Sequence, residues 1–237
     1  MKRLATLRDL LIFELAGNIL VSAVDSCGGI GLEPNDALAV DTQMVGLFTA
    51  RVALLEILAV GAMPSFASLA ISSGPSTAQP LISGVKELLG EEFPLIISTE
   101  KNMPTSMTGF GVTVTGIAPA GTLRINDAKR GDQLLCAGLP LVGAQTLSPE
   151  ARLLNAQDVE RLLASAHVRT LIPVGSRGIA AEAHTLAEES GLRARLKQNT
   201  EVDLNKSAGP SSCAVFAAEC NLDLDLDLPI FPIGELY

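Results

Sequence analysis

Apolar and polar positions follow a short period at the start of the chain and then a longer one. Residues 10–15, L-L-I-F-E-L, and residues 19–25 read as two strands, with Ala16-Gly17-Asn18 as the hairpin turn between them. From Gln43 to Gly61 apolar residues fall on nearly every side of a helical wheel, and Gly61 supplies the stop. A helix that is apolar all round is predicted to be buried. Residues 66–72 read as a strand, 76–90 as a helix closed by Gly90, and 94–98 and 109–116 as two more strands. Residues 117–121, I-A-P-A-G, read as a linker. The pattern then restarts, with a strand at 133–137 and a helix at 149–166 whose middle is weakened by Asn155 and Asp158. T-L-I-P-V reads as a strand, Arg177 to Ser190 as a helix closed by Gly191, and 213–218 and 231–236 as short strands. N-L-D-L-D-L-D-L alternates strictly, so Asp223, Asp225 and Asp227 are predicted on one solvated strand face. The predicted class is α+β, with two domains spanning 1–118 and 119–237.

Composition narrows the function classes. The chain has 237 residues, 48% hydrophobic and 18% charged, with no Trp and one Tyr, so its core must be built from Leu, Ile, Val and Ala. A net charge of -9 argues against nucleic acid as a partner, because a phosphate backbone is met by clustered Lys and Arg. Asp9 and Glu14 interrupt the first apolar stretch, which does not read as a secretory leader. No uninterrupted apolar run approaches the roughly 18 residues that span a bilayer. The expectation is a soluble, cytoplasmic protein. Cys27, Cys136, Cys213 and Cys220 form no C-x-x-C and are joined by only two His, so reduced, partly buried thiols are expected rather than a zinc site.

Carboxylates at the ends of apolar segments carry the candidate chemistry. Asp25 follows the apolar run I-L-V-S-A-V and precedes S-C-G-G-I-G, so it is expected at the end of its strand. Glu56 lies inside the apolar helix, where a buried acid needs a partner or a metal. Arg51 is five residues away, outside the favourable helical spacings, which leaves metal or ligand work and a structural pairing elsewhere both open. Glu100 again follows an apolar strand, in I-I-S-T-E-K-N-M-P-T, and Asp9 just precedes the first strand. Carboxylates converging from several elements suit Mg²⁺, which binds oxygen and bridges to substrate phosphates. Glycines beside them, Gly28 and Gly29, let backbone N–H groups approach a phosphate. No G-x-x-x-x-G-K-[ST] and no G-x-G-x-x-G occurs.

The ordered set of these segments resembles the aminoimidazole ribonucleotide synthetase superfamily, which includes thiamine-monophosphate kinase and selenophosphate synthetase. The pieces are D-L-L-I-F-E-L…I-L-V-S-A-V-D-S, A-L-L-E-I-L-A-V-G-A-M-P, S-T-E-K-N-M-P-T…G-F-G-V-T-V-T-G, L-R-I-N-D-A-K-R-G-D-Q-L-L-C-A-G, V-G-S-R-G-I-A-A-E-A-H-T-L-A-E-E-S-G and F-P-I-G-E-L. The resemblance covers nearly the whole chain. It implies ATP-dependent phosphoryl transfer with Mg²⁺, and a homodimer whose N-terminal sheets pair into a β-barrel, followed by an abbreviated α/β-sandwich-like half. It places Asp9, Asp25, Glu56 and Glu100 at the positions of metal-binding acids. Asp25, Glu56 and Arg177 are then candidate catalytic groups, and Ser26, Gly28, Gly29, Thr99 and Lys101 candidate nucleotide contacts.

Two departures bear on the substrate. Ser98-Thr99 replaces the usual glycine pair, and V-G-S-R-G-I has Arg177 where thiamine-monophosphate kinases carry a metal-binding Asp. D-S-C-G-G-I-G, F-T-A-R-V-A-L-L-E and S-T-E-K-N-M-P-T most resemble the shorter α-ribazole kinase subgroup, which implies α-ribazole as phosphoryl acceptor. A thiamine-monophosphate kinase-like enzyme, an ATP-driven synthetase or maturation enzyme, and a non-catalytic nucleotide-binding dimer are the alternatives. Cys27 reads as a small residue of the glycine-rich segment, with a nucleophile as the alternative.

Overall fold

The computed structural model describes residues 2–219 and 224–237. The chain divides into two compact units, residues 1–57 with 62–121, and residues 58–61 with 122–237. Both mix helices with sheets.

The first unit is built on a six-stranded sheet ordered β1-β2-β3-β8-β6-β7. Its strands are β1 (Lys2–Leu7), β2 (Leu10–Leu15), β3 (Asn18–Gly28), β6 (Met63–Ile71), β7 (Leu95–Thr99) and β8 (Gly109–Pro119). The short strands β4 (Ile30–Gly31) and β5 (Leu38–Ala39) pair in parallel beside it. The helices are α1 (Thr42–Ala59) and α2 (Pro75–Leu89). Ile19, Val21 and Ala23 alternate into the core with Leu10 and Ile12, as period-2 patterning requires. Helices α1 and α2 cross at Gly46 and Gly84. A Cβ on Gly84 would stand 1.9 Å from the Gln43 carbonyl oxygen, and one on Gly46 2.2 Å from that of Leu81. By length and composition α1 could cross a membrane, yet 61% of it is buried inside the protein, as its all-round apolar pattern predicts.

The second unit carries a five-stranded sheet ordered β10-β12-β9-β13-β11, antiparallel throughout. Its elements are β9 (Gln133–Ala137), a 3₁₀ turn (Gly143–Leu147), α3 (Ala156–Ala164), β10 (Val168–Pro173), α4 (Gly178–Glu189), β11 (Ala194–Leu196), β12 (Ala214–Ala218) and β13 (Ile230–Leu236). The core packs Ile179, Ala183 and Leu186 of α4 with Leu134, Ile172, Val215 and Ile233 of the strands.

Several expectations are corrected. Residues 117–119 are not linker; they complete β8, where Ile117, Ala118 and Pro119 pair with Leu20, Ile19 and Asn18. Pro119 is tolerated because it stands at the strand end. The helix expected over 149–166 begins only at Ala156. Asn155 is its N-cap and Asp158 returns the hydrogen bond, a capping box, so the two residues that looked like breakers are the start signal. Residues 224–227 form no strand; Asp227 pairs with Arg152 at 3.1 Å, and Asp223 lies outside the described residues. Strands β1, β4, β5 and β11 were not anticipated. Cys136 and Cys213 are buried free thiols and Cys27 is half-buried, while Cys220 lies outside the described residues.

Candidate active site

Strand β8 is antiparallel to both β3 and β6, and β7 is parallel to β6. The C-terminal ends of β3, β6 and β7 therefore meet at one end of the sheet, where the candidate residues of the first unit gather. The register sets Cys27, Phe110, Ile71 and Thr99 in one row, and Asp25, Val112, Leu69 and Ile97 in the row before it. Asp25 does not end its strand as expected. β3 continues to Gly28, because the small residues Gly111 and Gly109 of β8 accept Ser26 and Gly28 as ladder partners. The pleat also separates neighbours in sequence. Asp25 and Cys27 share the face of buried Ala23 and Val21, whereas Val24 and Ser26 point to the opposite face. Ser26, Gly111, Ala70 and Ser98 thus make a floor of small groups on that opposite face.

Asp25 has the most disturbed carboxyl at this end. Burial pushes its pKa up to about 6, the negative charge of nearby Asp9 adds to this, and the Ser26 backbone N–H opposes it. Asp9 itself is exposed, on the turn between β1 and β2. A half-buried acid beside a second acid is a place where a divalent cation lowers the energy. The pair therefore fits Mg²⁺, an ion that takes one or two carboxylates and completes its shell with water and phosphate.

The other expected ligands are engaged differently. Glu56 faces Arg8, with its carboxylate 3.6 Å from the guanidinium. Glu100 turns onto its own loop and accepts the N–H groups of Asn102 and Met103, which hold its pKa below the usual carboxylate value. Among the described residues no three Asp, Glu, His or Cys side chains come together as a metal cluster. An open pocket of about 520 Å³ lies at the ends of β6 and β7, lined by Ile71, Ser72, Ser98, Thr99, Glu100 and Lys101. Thr99 is half-buried there and Lys101 is exposed.

The glycine segment is not the open cradle that its composition suggests. Gly28 belongs to β3, and the Gly29 N–H donates to the Thr108 carbonyl at 2.8 Å. Arg177 stands in the second unit at the start of α4, where its guanidinium donates to Glu182 at 3.1 Å. The Ala180 N–H in the first turn of α4 is taken by the Leu204 carbonyl at 2.8 Å. Sequence reasoning passed over Asp36, whose carboxylate joins the glycine segment to the loop before β8. The turn-forming run E-P-N-D was its one visible signal.

No family model and no curated protein matches the chain. Solved structures do. Thiamine-monophosphate kinase from Stenotrophomonas maltophilia K279a is 19% identical with a TM-score of 0.69, over 97% of this chain and 89% of that one. The Aquifex aeolicus thiamine monophosphate kinase is 14% identical with a TM-score of 0.70, over 98% and 89%. Phosphoribosylformylglycinamidine synthase II from Thermotoga maritima is 14% identical with a TM-score of 0.62; the alignment covers 97% of this chain but 37% of that one. The chain therefore shares the fold of these solved structures.

Proposed function

We propose that the protein is an ATP- and Mg²⁺-dependent small-molecule kinase that phosphorylates α-ribazole. The observation that carries this reading is the Asp9–Asp25 pair at the end of the first sheet that also carries the Glu100–Lys101 pocket. It stands in a fold also found in a thiamine-monophosphate kinase solved with AMPPCP and TMP. Asp9 and Asp25 would hold Mg²⁺, which supplies neutralisation of the triphosphate charge when bound. Lys101 and Thr99, which line the pocket, are the proposed phosphate contacts, while Ser26 belongs to the floor of small groups on the sheet face opposite Asp25. Glu100 orders the loop that carries Lys101. Glu56 acts through Arg8, fixing the turn that presents Asp9, as the ion pair supports. Arg177, whose side chain is 61% exposed beside Glu182, is a candidate phosphate contact within the second unit.

α-Ribazole is favoured by the D-S-C-G-G-I-G and S-T-E-K-N-M-P-T segments and by Arg177 in place of an acid. A hydroxyl acceptor needs less cation than a phosphate acceptor, because no second anion has to be drawn to the γ-phosphate. We further propose a cytoplasmic homodimer, the first-unit sheets pairing into a barrel. Its support is the outer sheet face, where Val24, Met63 and Ile96 are 58%, 70% and 65% exposed.

The test is incubation with Mg-ATP and either α-ribazole or thiamine monophosphate, read by mass spectrometry. The expected result is α-ribazole phosphate with one ADP per product and no reaction of thiamine monophosphate. Comparable turnover of thiamine monophosphate would overturn the acceptor assignment. No product from either would shift the reading to an ATP-driven synthetase, a class whose fold the chain also shares.

A further inference from the structure

Two segments far apart in sequence are tied together by one carboxylate. Asp36 lies between β4 and β5. Its Oδ1 accepts the Thr108 N–H at 2.8 Å, and its Oδ2 accepts the Thr108 hydroxyl at 2.7 Å and the Glu33 N–H at 2.9 Å. Asn35 adds two bonds to the same loop, its N–H to the Ser106 carbonyl and its side-chain amide to the Ser106 hydroxyl, both at 2.9 Å. Glu33 in turn accepts the hydroxyl of Thr77, in the first turn of α2. The segment 101–108 is otherwise solvent-facing up to Met107, and Thr105 anchors to the Ser72 carbonyl at 2.7 Å.

The glycines of residues 28–31 acquire a different reason from this arrangement. A Cβ on Gly31 would stand 2.3 Å from the Thr108 hydroxyl oxygen and 2.8 Å from Asp36 Oδ2. A Cβ on Gly29 would stand 2.8 Å from the Met107 methyl. Both positions also have positive φ, +70° at Gly29 and +153° at Gly31. These two glycines make room for the loop that Asp36 holds. Hydrogen bonds to an ionised acceptor are the strong kind, so three on one carboxylate form a firm junction.

We propose that Asp36, through Thr108, is a positioning residue that clamps segment 101–108 and thereby sets Glu100 and Lys101 at the pocket. The clamp stands on the geometry alone; its role in ATP binding rests on the kinase reading. Asp36→Asn puts an amide group where two acceptors are needed, so whichever way it turns its nitrogen faces a backbone N–H, of Glu33 or of Thr108, donor against donor. Thr108→Val removes the hydroxyl donor at nearly constant volume, and Thr108→Ser keeps it.

Two measurements on the full chain test this. Trypsin cleavage after exposed Lys101 reads the order of the segment without any ligand. It is expected about tenfold faster in Asp36→Asn and Thr108→Val and near the parent rate in Thr108→Ser. Calorimetry with Mg-ATP is expected to show about tenfold weaker binding in the first two variants and recovery in the third. Unchanged cleavage in Asp36→Asn and Thr108→Val would overturn the clamp. Faster cleavage with unchanged ATP affinity would overturn the positioning role and leave a purely structural contact. A parent protein that binds no ATP would overturn the kinase reading, and the cleavage arm tells that failure from failure of the clamp.

Discussion

The guanidinium of Arg8 stands 3.6 Å from the carboxylate of Glu56, with side-chain exposures of only 6% and 12%. Arg8 itself has a positive φ of 51°, in the sharp turn that also carries Asp9. The pair thus joins the last turn of α1 to that turn. Removing one partner of such an enclosed pair costs about 3–5 kcal/mol. Glu56→Gln is expected to lower the urea midpoint by a corresponding amount. A variant that unfolds like the parent but loses all turnover would return Glu56 to the ligand set.

Asp25 should oppose folding at neutral pH. Its folded-state pKa is raised to about 6 from 3.8, so ionising it costs more in the folded protein than in the unfolded chain. The penalty is absent below pH 3.8, grows as pH rises towards 6, and is complete above it. Allowing for partial solvent exposure, it amounts to about 1–2 kcal/mol. Asp25→Asn is expected to be more stable than the parent at pH 8 and to lose most of that advantage at pH 4.5. It is also expected to lose turnover by a hundredfold or more, on the order usual for a lost charge-stabilising group. Equal stability at pH 8 would contradict the burial of this carboxyl.

Binding of ATP should depend on a divalent cation, because Asp9 and Asp25 otherwise repel a triphosphate. Calorimetry is expected to show ATP affinity falling at least tenfold in excess chelator, a loss of about 1.4 kcal/mol. Undiminished binding there would exclude the acid pair as a metal site.

The outer face of the first sheet offers a test of assembly. Ile117 is register partner to both Leu20 and Met63, which puts it between them on the outer face, itself 39% exposed beside the 70% exposed Met63. Ile117→Glu is expected to give monomers by light scattering at micromolar concentration while the parent gives dimers, since a buried unpaired charge is strongly disfavoured at an interface. A dimeric Ile117→Glu protein would remove this face as the contact.

Helix crossing predicts a sharp effect of one methyl group. Gly84→Ala would place Cβ 1.9 Å from the Gln43 carbonyl oxygen and 2.7 Å from the Leu47 nitrogen, both backbone atoms that cannot rotate aside. A loss of about 2–3 kcal/mol is expected in chemical denaturation, at the upper range for overpacking. Gly90→Ala meets no atom within 4 Å, although its φ of +105° adds strain of a different origin.

Periodicity made the large elements of the chain readable. β2, β3, α1, α2 and α4 were legible because each pairs a long apolar pattern with a glycine stop or turn. The capping box was misread because Asn155 and Asp158 are poor helix formers inside a helix and good ones at its start. Asp25 was legible as an unusual acid, but not its position within the strand, since β3 is extended by Gly109 and Gly111, more than 80 residues later. Glu56 was recognisable as an acid needing a partner, and Arg8 was not recognisable as that partner, because their approach depends on the fold. Asp36 escaped because a carboxylate in a turn ordinarily serves its own loop.

Strand β8 has a consequence for how the chain is made. It is the last strand of the first unit in sequence, yet it lies between β3 and β6 in the sheet. On the ribosome, β1–β3 and β6–β7 therefore emerge as two separate ribbons, each with an edge open where β8 belongs. Residues 18–28 wait for 109–119, their partner in the finished sheet, before that edge is covered. Until then two apolar edges are presented to other nascent chains, the situation in which strands add to the wrong partner. A chain cut short before Gly109 would meet the same fate permanently, and slow passage through residues 72–108 would lengthen the exposed interval in every copy synthesised.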